Sequence, residues 1–285
     1  MKLHWRGQRH ARAKAAFRWT LALVLFSLGY NGDRPACLAC PCRAVSSAGV
    51  PAGNQAVAEG LRKVQSCIAE AAGGRDVRLV AVSKFKAAEA VQAALDLGQV
   101  DFGENYVQEL LEKASALPSN VRWHFIGRLQ SNKVKKLVNI PNLVAIETVD
   151  SSALADRIAS AAQAAGRGEG GIDPLDLFVQ VDTSNEETKG GVQPNDAPEL
   201  ASHIAACGRS IRLAGLMTIG APGDMGAFDR LHAARSAVAA ALGVPDAELG
   251  LSMGMSGDFQ EAISKGATSV RVGSLIFGSR PPQKL

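Results

Sequence analysis

The sequence predicts an α/β protein: a single (β/α)8 TIM barrel with an extra N-terminal helix, preceded by a targeting presequence. Three observations carry this. Eight short apolar runs recur between residues 77 and 277, separated by stretches of helical periodicity. The runs are continuously apolar rather than alternating, which suits strands covered on both faces. No Gly-x-Gly-x-x-Gly follows the first run, so the rival open, doubly wound sheet lacks its usual mark.

Residues 1–50 stand apart from the barrel. Of the 31 Lys and Arg in the 285-residue chain, eight lie there: Lys2, Arg6, Arg9, Arg12, Lys14, Arg18, Arg34 and Arg43. One acid, Asp33, accompanies them, so the segment is +7 while the other 235 residues hold 23 bases against 26 acids. A basic start, an apolar stretch from Trp19 to Leu28 and small residues near Ala44–Ala48 make up a cleavable address. The Arg-rich, acid-poor composition points to a plastid or mitochondrion. The apolar stretch keeps the secretory route open, and a cytoplasmic destination fits less well. A disordered basic tail that binds something acidic is the plainer alternative.

The body then reads in order. A leading helix is predicted over Gln55–Ala72. Strands are predicted at Val77–Ser83, Val100–Gly103, Val121–Ile126, Leu143–Thr148, Leu175–Val181, Ile211–Ile219, Leu249–Met253 and Ser269–Phe277. Between the fourth and fifth, Leu154, Ile158, Ala161 and Ala165 fall at helical spacing, with Asp150 or Ser151 as N-cap. Gly166, Gly208 and Gly243 follow helices where a left-handed C-cap is expected. The glycine-rich run 166–171 is a loop within the barrel, not a domain linker.

Composition excludes several classes. With 47% apolar and 20% charged residues the chain is not disordered. No apolar run approaches the roughly 20 residues of a membrane-spanning helix. Once the presequence is set aside the charge is slightly negative, so nucleic acid is not expected; without a spanning run, neither is a stable membrane association. A monomer is expected. Of five cysteines, Cys37, Cys40 and Cys42 lie in the presequence. No second Cys-x-x-Cys stands at zinc spacing, so no metal site is expected, and Cys67 and Cys207 read as small core residues.

In such barrels the chemistry sits at the carboxyl ends of the strands. Those ends form a polar, cationic rim. A lysine, Lys84, ends the first run, where burial and nearby cations would favour its neutral amine. Such an amine can form a Schiff base with a carbonyl ligand or with pyridoxal phosphate. The alternative is a strand-end lysine that snorkels into water, as Lys86 is expected to do. The loops after strands seven and eight carry Met255-Ser256-Gly257, which opens a helix over Asp258–Lys265, and Gly273-Ser274. Loops there often hold phosphate, and Arg271 adds a permanent cation. Together these features point to a phosphorylated ligand with a reactive carbonyl. His124 reads as a hydrogen-bonded core histidine rather than a base. Lys133, Lys135 and Lys136 read as a solvated helix face, and Met217, Met253 and Met255 as packing at the barrel top.

Several motifs in one order then match a known family. Val80-Ala81-Val82-Ser83-Lys84, Phe102-Gly103-Glu104-Asn105-Tyr106-Val107-Gln108-Glu109 and His124 through Lys133 are three of them. Gly215 through Ile219, Leu251 through Ser256 and Val270 through Ser274 complete the set. The sequence resembles the pyridoxal phosphate homeostasis protein family, itself related to the N-terminal barrel of alanine racemase, over residues 54–280. The resemblance implies a barrel that binds pyridoxal 5′-phosphate (PLP) as a Schiff base on Lys84. The phosphate would lie on Ser256, Gly273 and Ser274 beside Met255, with Arg271 near the cofactor and Asn105 on the ring side. It implies no established catalysis and a role in vitamin B6 balance, with PLP-dependent apoenzymes as possible recipients. Family members often carry Thr after the lysine and Pro three residues on; this chain has Phe85 and Ala87.

Two enzyme readings compete. An amino-acid racemase needs a base on each face of the substrate carbon. In the resembling racemases the second base is a tyrosine from an additional C-terminal β domain, for which the eight residues beyond Phe277 leave no room. The tyrosines here are Tyr30 and Tyr106. A cofactor-free isomerase of a sugar phosphate would need a carboxylate base, with Glu104, Glu147 and Asp182 as candidates.

Overall fold

In the computed structural model, which describes residues 52–185, 189–224 and 226–279, each predicted run contains a strand, and the strands close into one parallel barrel in chain order. The expected presequence, residues 1–50, lies outside the described residues. Helix α1 (Ala52–Ala72) leads, followed by β1 (Arg78–Val82), α2 (Ala88–Leu95), β2 (Asp101–Glu104), α3 (Val107–Ala116) and β3 (Arg122–Phe125). Next come α4 (Val134–Val138), β4 (Leu143–Val149), α5 (Ser152–Ala164), β5 (Leu175–Gln180) and α6 (Ala197–Ala206). The barrel finishes with β6 (Ile211–Met217), α7 (Gly226–Leu242), β7 (Gly250–Ser252), α8 (Phe259–Ser264), β8 (Ser269–Val272) and α9 (Ser274–Phe277).

The main difference from expectation is at the end. The last apolar run is not one strand: it breaks at Gly273, and Ser274–Phe277 form a helical turn. Periodicity does not separate a long buried strand from a short strand followed by a buried helix. Ser151 stands at the N-cap of α5, but its hydroxyl donates to the Asp150 carboxylate, not to the helix. Gly166, Gly208 and Gly243 all adopt positive φ, as C-caps require.

Between strands and helices lies a continuous apolar core. Helix α1 enters it with a stripe of Val57, Leu61, Val64, Ile68 and Ala72, all buried, and lies against α2, α8 and α9. The interior of the barrel is different. Register pairs Val80 with Arg271, and Gly103 with His124 and then Ala145, so alternate residues share the inner face. That face carries charge where many barrels hold stacked aliphatics. His124 shares a proton with Glu147 Oε1 at 2.8 Å and with Asp101 Oδ1 at 3.0 Å. The Ser252 hydroxyl donates to Glu147 Oε2 at 2.6 Å, and Arg271 donates to the Ser252 oxygen at 2.6 Å. Burial opposes the charge on His124, but its hydrogen bonds and two carboxylate neighbours outweigh it and raise the imidazole above its ordinary value. Burial likewise opposes ionisation of Glu147 and Asp101, yet His124 holds both below the carboxylate range. His124 is thus a hydrogen-bonded core residue, as expected.

A second buried charge joins the upper ends of the first strands. Lys113 of α3, 5% exposed, donates to the Ser83 carbonyl at 2.7 Å, Glu104 Oε1 at 2.6 Å and Glu109 Oε1 at 2.7 Å. All three ammonium donors are thereby used.

These buried charges have measurable consequences. Lys113→Met strips Glu104 of its cation and is expected to cost roughly 3–5 kcal/mol of unfolding free energy. Urea denaturation reads this, and a loss below about 1 kcal/mol would place the pair among weak surface bridges. His124 keeps its native proton above the ordinary pH of 6.5, so its contribution is full below 6.5 and is lost as pH rises through the raised value. For one proton the slope is at most about 1.4 kcal/mol per pH unit. His124→Asn is expected to flatten that alkaline decline in urea midpoints; an unchanged decline would assign the proton to another group.

Candidate functional site

A cavity of about 430 Å³ opens at the carboxyl ends of β1, β2, β7 and β8. Every residue that the family resemblance places at the ligand lines it: Lys84, Asn105, Met255, Ser256, Arg271, Gly273 and Ser274. A larger hollow of about 740 Å³ lies at the strand starts, but its Asp101 pairs with Arg122 and its Asp176 with Arg212. That face of a barrel serves stability rather than chemistry.

Lys84 stands in the turn two residues past β1, half-buried, and not on the strand itself. The turn is fixed from outside. Phe85 takes a left-handed φ of 62°, which costs a residue with a Cβ about 1–2 kcal/mol. Its N–H donates to Glu109 Oε1 at 2.6 Å, the same oxygen that Lys113 grips. Its ring packs on Tyr106 with centroids 5.2 Å apart. Lys86 was expected to point into water; instead it is half-buried, lines the cavity and donates to the Ser279 carbonyl at 2.9 Å. Gly278, with a φ of 76°, turns the chain after α9 immediately before Ser279.

Arg271 forms the floor. Its guanidinium donates to Ser252 Oγ and to the Thr218 carbonyl, each at 2.6 Å, and lies 4.0 Å from Glu147. Burial pulls its pKa down while Glu147 and Asp258 support the charge. An arginine remains protonated in such a setting.

The opposite wall is built for an anion. At Gly273 a Cβ would fall 2.9 Å from the Val82 carbonyl, so glycine lets this bend approach β1 closely. The Gly273 N–H donates to Ser256 Oγ at 3.3 Å and ties the two loops together. The Ser256 and Ser274 hydroxyls and the amides opening α9 offer donors on one side. Met255 is exposed and borders the cavity, so it is not the packing residue its neighbours Met217 and Met253 are.

Asn105 closes the ring side. A Cβ on Gly127 would fall 1.9 Å from the Asn105 carbonyl, so the loops after β2 and β3 meet backbone to backbone there. Asn105 Oδ1 is buried and has no hydrogen-bond partner among the described residues, an acceptor that a ligand donor could satisfy. Val82, Ile126 and Ile219 supply apolar walls that sequence reasoning did not assign to the site. It also missed Glu109 and Lys113, although their i, i+4 spacing on α3 was visible.

Other candidates fall elsewhere. Glu104 is tied to Lys113 and to the Ser83 hydroxyl; burial nonetheless raises its carboxyl, and its Oε2 has no partner among the described residues. Glu147 belongs to the interior network. Asp182 accepts from the Ser184 amide in the loop after β5. None of the three lines the cavity. What does line it is an amine, a fixed guanidinium, an anion cradle and apolar walls. This set suits a flat, phosphorylated ligand carrying a carbonyl, and the residues fit PLP.

Comparison with known proteins agrees with this geometry. Residues 55–281 match the family model for the alanine racemase N-terminal domain. The pyridoxal phosphate homeostasis protein of Schizosaccharomyces pombe is 45% identical over 227 residues, covering 78% of this chain and 92% of that protein. The protein of the same name from Homo sapiens is 46% identical over 218 residues, 73% of this chain and 78% of that one. A solved structure of PipY from Synechococcus elongatus PCC7942, with PLP bound, matches with a TM-score of 0.65 at 33% identity, over 78% of this chain and 100% of that one. On motif order, fold and similarity alike, the chain belongs to the alanine racemase N-terminal domain family, among the pyridoxal phosphate homeostasis proteins.

Proposed function

We propose that this chain binds PLP and serves vitamin B6 homeostasis as a holder of the cofactor rather than a catalyst. The observation that carries the proposal is the meeting of Lys84, Arg271 and the Ser256–Gly273–Ser274 cradle on one cavity of about 430 Å³. Lys84 Nζ would condense with the aldehyde, forming a C=N bond and releasing one water. Bound in this way the cofactor supplies an electron-withdrawing ring. The hydroxyls and amides of the cradle would hold the phosphate, and Val82, Ile126 and Ile219 would keep water from the ring. Arg271, pinned by Ser252 and Thr218, would present a fixed cation towards the ring.

A racemase would need a second base beside the ligand. Tyr106 is 49% exposed and borders the neighbouring hollow between α3 and α4, not the cavity. This favours holding over racemisation. Release to PLP-dependent apoenzymes, from a plastid or mitochondrial location directed by the basic N-terminal segment, completes the proposal.

The purified protein is expected to be yellow, with a violet absorption band that Lys84→Ala abolishes after dialysis. A colourless protein that takes up no PLP would overturn the reading. Arg271→Gln is expected to weaken retention by roughly 10- to 100-fold, the worth of a hydrogen bond to a charged group. Equilibrium dialysis measures it, and unchanged affinity would remove Arg271 from the site. Racemisation of alanine or serine above the Lys84→Ala control would replace the holder with an enzyme.

A further inference from the structure

Away from the cofactor cavity, α5 and α6 bring together three side chains of different chemistry. His203 lies in the last turn of α6, and Cys207, four residues on, is its C-cap. Asp156 comes from α5. Asp156 Oδ1 lies 2.7 Å from His203 Nε2 and 3.7 Å from Cys207 Sγ. One ligand atom from each residue falls within 4.8 Å of the other two, the set of this kind found among the described residues.

The spacing suits a metal ion. Tetrahedral zinc, at about 2.0 Å from nitrogen and oxygen and about 2.3 Å from sulfur, needs its ligand atoms roughly 3.3–3.6 Å apart. The sulfur–oxygen distance, 3.7 Å, has to close by only about 0.1 Å. The imidazole–carboxylate pair has to open by about half an ångström, exchanging its hydrogen bond for two coordinate bonds. His203 and Cys207 are half-buried and Asp156 is exposed, so an ion can enter from solvent. Thiolate and imidazole together favour zinc-class ions over magnesium or calcium.

We propose that Asp156, His203 and Cys207 form a zinc-class site that joins α5 to α6, with water as the fourth ligand. On binding, the Cys207 S–H proton leaves to solvent as the metal–sulfur bond forms; His203 gives up the Nε2 proton it shares with Asp156 and binds as the neutral ring protonated at Nδ1, so one thiolate and one carboxylate neutralise the divalent charge. Without metal, burial and the adjacent Asp156 carboxylate push the thiol pKa up and keep it protonated. The spacing rule applied to the sequence missed this set because its ligands are split, His-x-x-x-Cys on one helix and Asp on another.

Cobalt(II) titration of the full chain tests the site, in a Cys37→Ser, Cys40→Ser, Cys42→Ser, Cys67→Ser background that removes the other thiols. One equivalent is expected to bind at micromolar concentration, with a near-ultraviolet thiolate-to-cobalt band and the visible bands of tetrahedral cobalt, bleached by zinc. Cys207→Ser or Cys207→Ala should abolish the near-ultraviolet band. His203→Gln should weaken binding by at least roughly tenfold, the loss that even an outer-shell partner gives. Zinc should raise the thermal midpoint of the background chain and leave that of the Cys207 variants unchanged. A band that survives removal of Cys207, or binding seen only at millimolar metal, would overturn the proposal and leave a hydrogen-bonded surface triad.

Discussion

The ammonium of Lys113 is the interaction on which the upper face of the barrel depends. It ties the last carbonyl of β1's extension, at Ser83, to the end of β2, at Glu104, and to its own helix through Glu109. A buried charge of this kind is costly unless each donor finds an acceptor, and here each does. The consequence passes outward through one oxygen. Glu109 Oε1, held by Lys113, accepts the Phe85 N–H and so secures a left-handed backbone that Phe would otherwise avoid. Lys84 precedes that residue, so its place on the cavity wall depends on the turn that Lys113 and Glu109 hold.

A parallel logic governs Arg271. Its guanidinium is oriented by Ser252 and the Thr218 carbonyl, and Ser252 is in turn held by Glu147. Glu147 is balanced by His124, and His124 by Asp101 near the opposite end of the barrel. Two acids and two bases thus alternate through the interior, which lets a charged chain replace aliphatic layers without an uncompensated ion. The polar interior positions the floor of the site at the expense of packing, and the apolar core between strands and helices carries the stability.

Where the resemblance leads to an expected Thr and Pro, this chain carries Phe85 and Ala87, and the structure shows what the first of them does. The Phe85 ring, on the cavity wall, packs against Tyr106 of the neighbouring hollow, and the backbone is held by Glu109. For Ala87, which precedes α2 in an extended conformation, no contact in the structure explains the choice.

Much of the molecule was legible in the sequence. The eight strands, the leading helix, the glycine C-caps and the cavity residues from Lys84 to Ser274 followed from local pattern and motif, because burial on both faces and turns of positive φ leave marks within a few residues. The strand break at Gly273 was not legible, since apolar residues continue through it and only the close approach to Val82 shows why the chain bends there. Nor were the roles of Lys113, Glu109 and Lys86, the exposure of Met255 or the meeting of Asp156 with His203 and Cys207. Each depends on side chains brought together by barrel closure from separate helices and loops. Sequence by itself determined which elements form and which residues stand at the strand ends. Only the tertiary structure decided which charges pair, because pairing at hydrogen-bond distance is a property of the closed barrel and not of any one segment.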